Sequence, residues 1–275
     1  MWLLLLYAWS GQAQSSVAAP YVVIPGGLYI VGKKGHGINP YRTVKLSAFR
    51  IARKETTNTE FAAFVKATGY ITDAERRHDA LVYRPGLAEF EWHNDSTANW
   101  RYPNGITYGS IDHKMDHPVT CISYQDILAY CRWAGVRLPS LDEWEVACRA
   151  CTTTDFSFGK DTSLLRQYAN TWHRTDHLVP DSSDGYLFTS PVGSFAANPW
   201  GLYDMYGNVF EFCSGKTKLN HKPTVVHARG GSWWCSPFSC HFFNSYDIGS
   251  VYHRASFSNQ GFRVVYPAGH NRAPR

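Results

Sequence analysis

The chain has 275 residues, 15% of them aromatic and only 18% charged, with 22 Gly and 14 Pro. That length can bury a large core, and the mix points to a loop-rich globular fold ordered by aromatic packing and turns more than by long helices. The net charge of +5 is spread along the chain, and no Lys/Arg run exceeds a pair (Lys33-Lys34, Arg76-Arg77), so a nucleic-acid surface has no patch to stand on.

In chain order, Met1 to Trp9 followed by Gly11-Gln12-Ala13 resembles the apolar region and small-residue cleavage site of a signal peptide, without a basic start. We therefore treat residues 1–14 as signal-peptide-like and expect a secreted, periplasmic or secretory-pathway protein. The segment is too short to span a bilayer, and nothing downstream approaches that length. Tyr21 to Gly32 reads as strand, turn, strand, and Val44 to Ile51 as a further short strand. Asn58 can cap a helix with the apolar face Phe61, Phe64, Val65 and Thr68, ended by Gly69. A second helix starts at Ser123 with Asp126 three residues on, and carries Leu128, Cys131 and Ala134 before Gly135. A third has a Ser140/Glu143 capping box and the stripe Trp144, Ala147, Cys148, Cys151. The remainder is short strands and loops. No linker, low-complexity stretch or tandem repeat divides the chain, so one domain over residues 20–268 is expected, with 269–275 a tail.

Seven cysteines are present: Cys121, Cys131, Cys148, Cys151, Cys213, Cys235 and Cys240. An odd number in an exported chain leaves at least one thiol free, intermolecular or ligated. Cys235 and Cys240 stand out, because Arg229-Gly230-Gly231-Ser232-Trp233-Trp234 leads into them and four residues separate them. Such a pair can be a disulfide, which compartment favours, or a soft-metal site suited to Cu(I). A structural zinc site is disfavoured, since no second ligand pair follows at zinc-finger spacing. His113/His117 and His173/His177 are each four apart, a metal spacing only on a helix; both segments read as loops, and such residues usually lie at the surface.

Over Pro20 to Pro267 the ordered segments Glu55 to Phe61, Thr68-Gly69-Tyr70, His117-Pro118-Val119, Ala129 to Ser140, Glu143-Trp144-Glu145, Gly201 to Asp204, Gly207 to Phe212, Arg229 to Ser232 and Gly261-Phe262-Arg263 resemble the formylglycine-generating enzyme, or sulfatase-modifying factor, family. The resemblance implies an α+β, C-type-lectin-like single domain with little regular secondary structure. It also implies a copper-dependent oxidase that uses O2 to convert a cysteine in a peptide or unfolded sulfatase to Cα-formylglycine. Cys235 and Cys240 would be the Cu(I) ligands, Ser232 and Asn259 would line the oxygen and substrate-sulfur pocket, and Phe210 and Trp234 would meet substrate. Turn hydroxyl and turn amide are the plainer readings of Ser232 and Asn259.

The resemblance further implies two structural Ca2+ sites. One uses the side chains of Asn170 and Asp184 with the Thr171 and Tyr186 carbonyls; the other uses Asp204, Gly207, Val209 and Glu211. The plainer reading is ordinary turn carboxylates. Departures from the family pattern fall at Ser239, His241 to Asn244 and Ile248-Gly249, where an aromatic and a basic run are usual, and at Phe210 in place of a Trp. These weaken recognition of the usual sulfatase motif rather than metal binding. Secreted relatives bridge the positions of Cys131 and Cys148, but the partner positions here are Ser245 and Val264, so both are expected as buried thiols. The alternative function is a non-catalytic binding module of the same fold, or an oxidase acting on another peptide or thiol.

Overall fold

A computed structural model describes residues 19–217, 224–238, 240 and 243–268. The signal-like segment 1–14, the tail 269–275 and the departures at Ser239, His241 and Phe242 lie outside the described residues.

The first third comprises β1 (Tyr21–Ile24), β2 (Gly27–Val31), β3 (Arg42–Leu46), β4 (Phe49–Ala52), α1 (Asn58–Thr68), α2 (Asp73–Arg77), β5 (Ala80–Val82) and β6 (His93–Asp95). Then follow α3 (Tyr124–Ala134), α4 (Leu141–Arg149), α5 (Leu165–Tyr168), β7 (Phe210–Thr217), β8 (Val225–Arg229), β9 (Gly249–Tyr252), β10 (Gln260–Gly261) and β11 (Val265–Tyr266). A three-stranded sheet β1-β4-β11 brings the start and end of the domain together, and a four-stranded sheet β10-β7-β8-β9 carries the C-terminal part. This is the loop-rich fold expected from composition and the α+β single domain that the family resemblance implies.

The single strand expected over Val44 to Ile51 is two. Ser47 and Ala48 separate β3, which pairs with β2, from β4, which pairs with β1 and β11, so the chain must turn to enter a different sheet. The first helix is capped by Thr57 and not Asn58. The Thr57 hydroxyl accepts from the Glu60 N–H, the Glu60 carboxylate accepts from the Thr57 N–H, and Asn58 is the first helical residue with its amide donating to the Lys114 carbonyl. Ser123/Asp126 and Ser140/Glu143 are complete capping boxes, as their spacing predicts. Cys151 does not continue the α4 stripe: Ala150 takes a left-handed φ of 46° and ends the helix, leaving Cys151 exposed. Helix α2 and strands β5 and β6 were not anticipated, being too short to show a period.

Two buried ion-pair networks sit inside the fold. Glu211 accepts from the Trp144 indole at 2.6 Å and from the Arg263 guanidinium on both oxygens, with neither ion exposed. Glu145 accepts from Arg149 at 2.8 Å, from Arg229 at 3.0 Å and from the Gly32 N–H at 2.6 Å. Burying such charges is tolerable only when each oxygen is matched by donors. The second network fixes Arg229, the last residue before Gly230-Gly231-Ser232, and so anchors the loop that carries the cysteine pair.

Candidate active site

From Arg229 the chain leaves β8 through two glycines in left-handed φ, 90° at Gly230 and 72° at Gly231. A Cβ on Gly231 would stand 2.6 Å from the Phe243 Cβ, so only glycine permits both the turn and this approach. Beyond it the Ser232 carbonyl accepts from the Cys235 N–H at 2.9 Å, and the Ser232 hydroxyl accepts from the Trp234 N–H at 3.3 Å. This tight turn points Cys235 inward, fully buried, and returns the chain so that Cys240 meets it as a disulfide with Cα atoms 4.6 Å apart.

Four of the six expected copper, oxygen-pocket and substrate residues share one cavity of about 210 Å³: Cys240, Asn259, Phe210 and Trp234 are in its lining. Cys235 lies behind Cys240, and Ser232 bridges the two halves of the site, 3.9 Å from the Cys235 sulfur and accepting from the Asn259 amide at 3.0 Å. The Asn259 Oδ1 is buried and without a partner. The sulfurs thus converge at the wall of an opening wide enough for a small side chain.

Sequence reasoning missed Phe90, Trp92, Val251 and Phe257, which line the wall together with Gly249, singled out above as a departure from the family pattern. Phe90 and Trp92 contact the Trp234 ring at centroid distances of 5.2 and 5.6 Å, and Trp92 meets Phe257 edge-on at 5.3 Å. Three non-periodic aromatics, Phe90, Trp92 and Phe257, in otherwise polar loops were the available signal. Among the described residues no charged side chain lines the cavity, so a group entering it exchanges water for aromatic faces.

The histidines are not surface residues as a set. His117 is buried with Nδ1 3.0 Å from the Thr189 hydroxyl. His177 is buried against Trp234, ring centroids 3.9 Å apart, with Nε2 2.7 Å from the Trp234 carbonyl and Nδ1 2.7 Å from Glu89. Each rigidifies a loop, and His173 and His177 face different partners. Among the described residues no three His, Cys, Asp or Glu side chains gather as a metal cluster.

Of the two expected calcium sites, the second keeps one buried carboxylate oxygen without a hydrogen bond, Asp204 Oδ1, while its other carboxylate oxygens are engaged by protein donors. The Glu211 oxygens are occupied by Arg263 and Trp144, and one Asp204 oxygen accepts from the Gly193 N–H at 2.6 Å. Burial, together with Glu211 nearby, pushes the Asp204 carboxyl up to about 6, and burial with Asp204 and Glu211 raises Glu55 well above its ordinary range. The first site keeps unpartnered donors: Asp184 Oδ2 and the Thr171 hydroxyl are buried without hydrogen bonds. For copper, the donor set fits once reduced, because two sulfurs already stand together beside the cavity, and soft thiolates suit Cu(I).

The remaining cysteines are thiols. Cys131 and Cys148 are buried, and burial pushes both up to about 12, while Cys121 and Cys213 are buried and raised likewise. The Cys148 sulfur lies 3.7 Å from the hydroxyl of Ser245, one of the two positions where the family resemblance implies a partner cysteine.

Residues 8–268 match the sulfatase-modifying factor enzyme 1-like domain. The chain is 38% identical over 265 residues to the formylglycine-generating enzyme of Thermomonospora curvata, covering 83% of this chain and 87% of that one. It is 32% identical to the formylglycine-generating enzyme of Bos taurus, with 89% and 74% covered. It is also 32% identical over 232 residues to the inactive C-alpha-formylglycine-generating enzyme 2 of Bos taurus, with 77% and 75% covered. Among solved structures, PvdO from Pseudomonas aeruginosa superposes with a TM-score of 0.67 at 27% identity, over 89% of this chain and 93% of that one.

Proposed function

The chain belongs to the sulfatase-modifying factor enzyme 1-like family, and from that premise we propose that it is an O2- and copper-dependent oxidase that converts a cysteine of a peptide to Cα-formylglycine. The observation that carries the reading is the convergence of Cys235 and Cys240 beside a cavity that also holds Asn259, Phe210 and Trp234. Cu(I) held by the two thiolates would supply the site's reactivity toward O2 and the substrate thiol.

The chain's own residues prepare the rest. The aromatic wall of Phe90, Trp92, Trp234 and Phe257 excludes water from the substrate Cβ and strengthens every polar contact made there. Asn259 fixes the Ser232 hydroxyl through its amide, which leaves that hydroxyl's proton for an acceptor in the site and the Asn259 Oδ1 for a donor. In overall balance the substrate loses one Cβ hydrogen and its thiol hydrogen to give a thioaldehyde, whose hydrolysis releases sulfide and leaves the aldehyde. O2 accepts those electrons, with a reductant completing its conversion to water. One structural divalent cation at the Asn170 and Asp184 loops belongs to the same reading, as does export of the chain through its signal-like start.

Stoichiometric Cu(I) binding to the reduced protein, lost in Cys235→Ala and in Cys240→Ala, followed by O2 uptake with a cysteine peptide, tests the proposal. Copper-loaded protein that consumes no O2 above background with any thiol peptide would count against it. The disulfide in the structure and the similarity to an inactive relative favour a second reading, a non-catalytic binding module. A Cys235–Cys240 bridge that survives mild reductant in mass spectra of the intact protein supports that one.

A further inference from the structure

Two consecutive carbonyls of the cysteine loop are held by one neighbouring segment. The Trp172 N–H donates to the Cys235 carbonyl at 2.9 Å, and His177 Nε2 stands 2.7 Å from the Trp234 carbonyl. The other ring nitrogen of His177, Nδ1, is 2.7 Å from a carboxylate oxygen of Glu89. Glu89 directly precedes Phe90 in the stretch that also carries Trp92, and both aromatics line the cavity. The His177 side chain is buried against two indoles, its ring centroid 3.9 Å from that of Trp234 and 4.6 Å from that of Trp172.

A carbonyl and a carboxylate only accept, and a neutral imidazole has a single N–H. Both bonds therefore require a proton on each nitrogen, which makes the ring an imidazolium. It lies nearly flat on the Trp234 indole, 14° from parallel, where the aromatic face attracts a cation. Loss of one proton would leave one acceptor without its donor and break one side of the bridge. Among the described residues, Glu89 is the charged group bonded to the ring. On the backbone side, Tyr83 donates its phenol to the His177 carbonyl at 2.7 Å, and burial, with Tyr108 and Asp176 nearby, pushes that phenol up to about 12. Asp176, the preceding residue, accepts the Leu178 N–H on its carboxylate at 3.1 Å.

We propose that His177, as an imidazolium, is a positioning residue for the cavity: it ties Glu89, and with it the Phe90 and Trp92 wall, to the Trp234 carbonyl beside Cys235. Holding both sides at once fixes the opening that admits a substrate side chain and the turn that aims the Cys235 sulfur. The consequence for turnover rests on the oxidase reading, whereas the bridge itself is measured without turnover.

The test uses the full chain with isotope-labelled histidine, His177 being assigned by the signal that His177→Gln removes. Imidazole NMR should show two slowly exchanging N–H protons on His177, one of which is lost in Glu89→Ala. A ring that carries one N–H throughout a titration from about pH 5 to 9 would overturn the proposal. With copper-loaded protein and a cysteine peptide, His177→Gln and Glu89→Ala should each raise KM at least about fivefold with kcat within about twofold. The double variant should be no worse than the worse single one, and Glu89→Gln, which keeps an acceptor, should lose less than Glu89→Ala. KM of the parent should climb as pH carries His177 from imidazolium to neutral ring, a climb absent in His177→Gln. Identical pH profiles in the two proteins, or additive effects of the two substitutions, would make His177 merely structural and overturn the proposal. A parent that consumes no O2 sinks the oxidase reading alone, and hydrogen exchange then decides the bridge. The Trp172 amide should exchange at least about tenfold faster in both His177→Gln and Glu89→Ala, and an unchanged rate would overturn the proposal. Circular dichroism checks folding, and Glu89→Ala, at a partly exposed side chain, carries the test should His177→Gln not fold.

Discussion

The Asn259 amide donates to the Ser232 hydroxyl at 3.0 Å across 27 residues of chain, joining the turn before Cys235 to the residue that leads into strand β10. Both residues are buried, Ser232 is 3.9 Å from the Cys235 sulfur, and Asn259 itself lines the cavity. A fixed pair of short polar groups at a reaction centre acts where charge develops, and removing one such donor typically costs about 100- to 1000-fold in rate. Ser232→Ala and Asn259→Ala should each lower kcat by at least about tenfold while Cu(I) affinity changes little. Single-turnover kinetics beside a copper titration checks this; loss of metal binding in step with rate would make the pair structural.

The cavity wall makes a separate prediction about substrate. A Cβ at Gly249 would meet Phe210 at 3.4 Å and the Ala228 carbonyl at 3.5 Å, ordinary contact distances, so a small side chain fits the fold while narrowing the opening. Gly249→Val should raise KM for a cysteine peptide by about tenfold and leave Cu(I) affinity unchanged, because it removes binding space without touching a sulfur. Steady-state kinetics over peptide length would show the loss growing with residues flanking the cysteine.

How far the sequence revealed this site depends on the kind of residue. Capping boxes at Ser123 and Ser140 are local chemistry, with donor and acceptor three residues apart, and they were readable directly. The Gly-Gly-Ser turn and the paired cysteines were readable for the same reason. Phe90 and Trp92 were not, because they reach Trp234 across more than 140 positions and lie in loops with no period to place them. The ion pair of Glu211 was not legible either, because nothing local shows that Arg263, 52 residues on, bonds its oxygens. His177 was read as a surface residue since only the tertiary fold brings two tryptophans, Trp172 and Trp234, to its faces.

Cys148 and Ser245 offer a test of the inferred loss of a bridge. Their side-chain tips are 3.7 Å apart and 97 residues separate them, so a cysteine at 245 needs little backbone movement. Ser245→Cys should oxidise to a bond with Cys148 and stabilise the unreduced protein by up to about 4.7 kcal/mol in the chain-entropy account, less the hydrogen bond that Ser245 shares with Tyr206. Peptide mapping without reductant identifies the bond. In the unmodified chain, burial holds Cys131 and Cys148 protonated at neutral pH, so of the five free cysteines only Cys151 should alkylate rapidly in the native state.

Asp204 predicts a pH dependence of opposite sign to that of paired surface carboxylates. Burial, opposed by the Gly193 N–H and aided by Glu211, raises its folded value to about 6 from an ordinary 3.8. Below the ordinary value the carboxyl is protonated in both folded and unfolded chains and contributes no difference. As pH rises from there to about 6 the unfolded chain ionises first, so the folded state loses stability over that window and keeps the full cost above it. In chelator, Asp204→Asn should therefore gain on the parent protein progressively between about pH 4 and 6, reaching about 2–3 kcal/mol by pH 7. Urea unfolding of both proteins across that range measures the difference. A gain that is flat with pH would show that Asp204 titrates in the folded protein as it does in the open chain, and a gain abolished by added Ca2+ would show a cation taking up its negative charge.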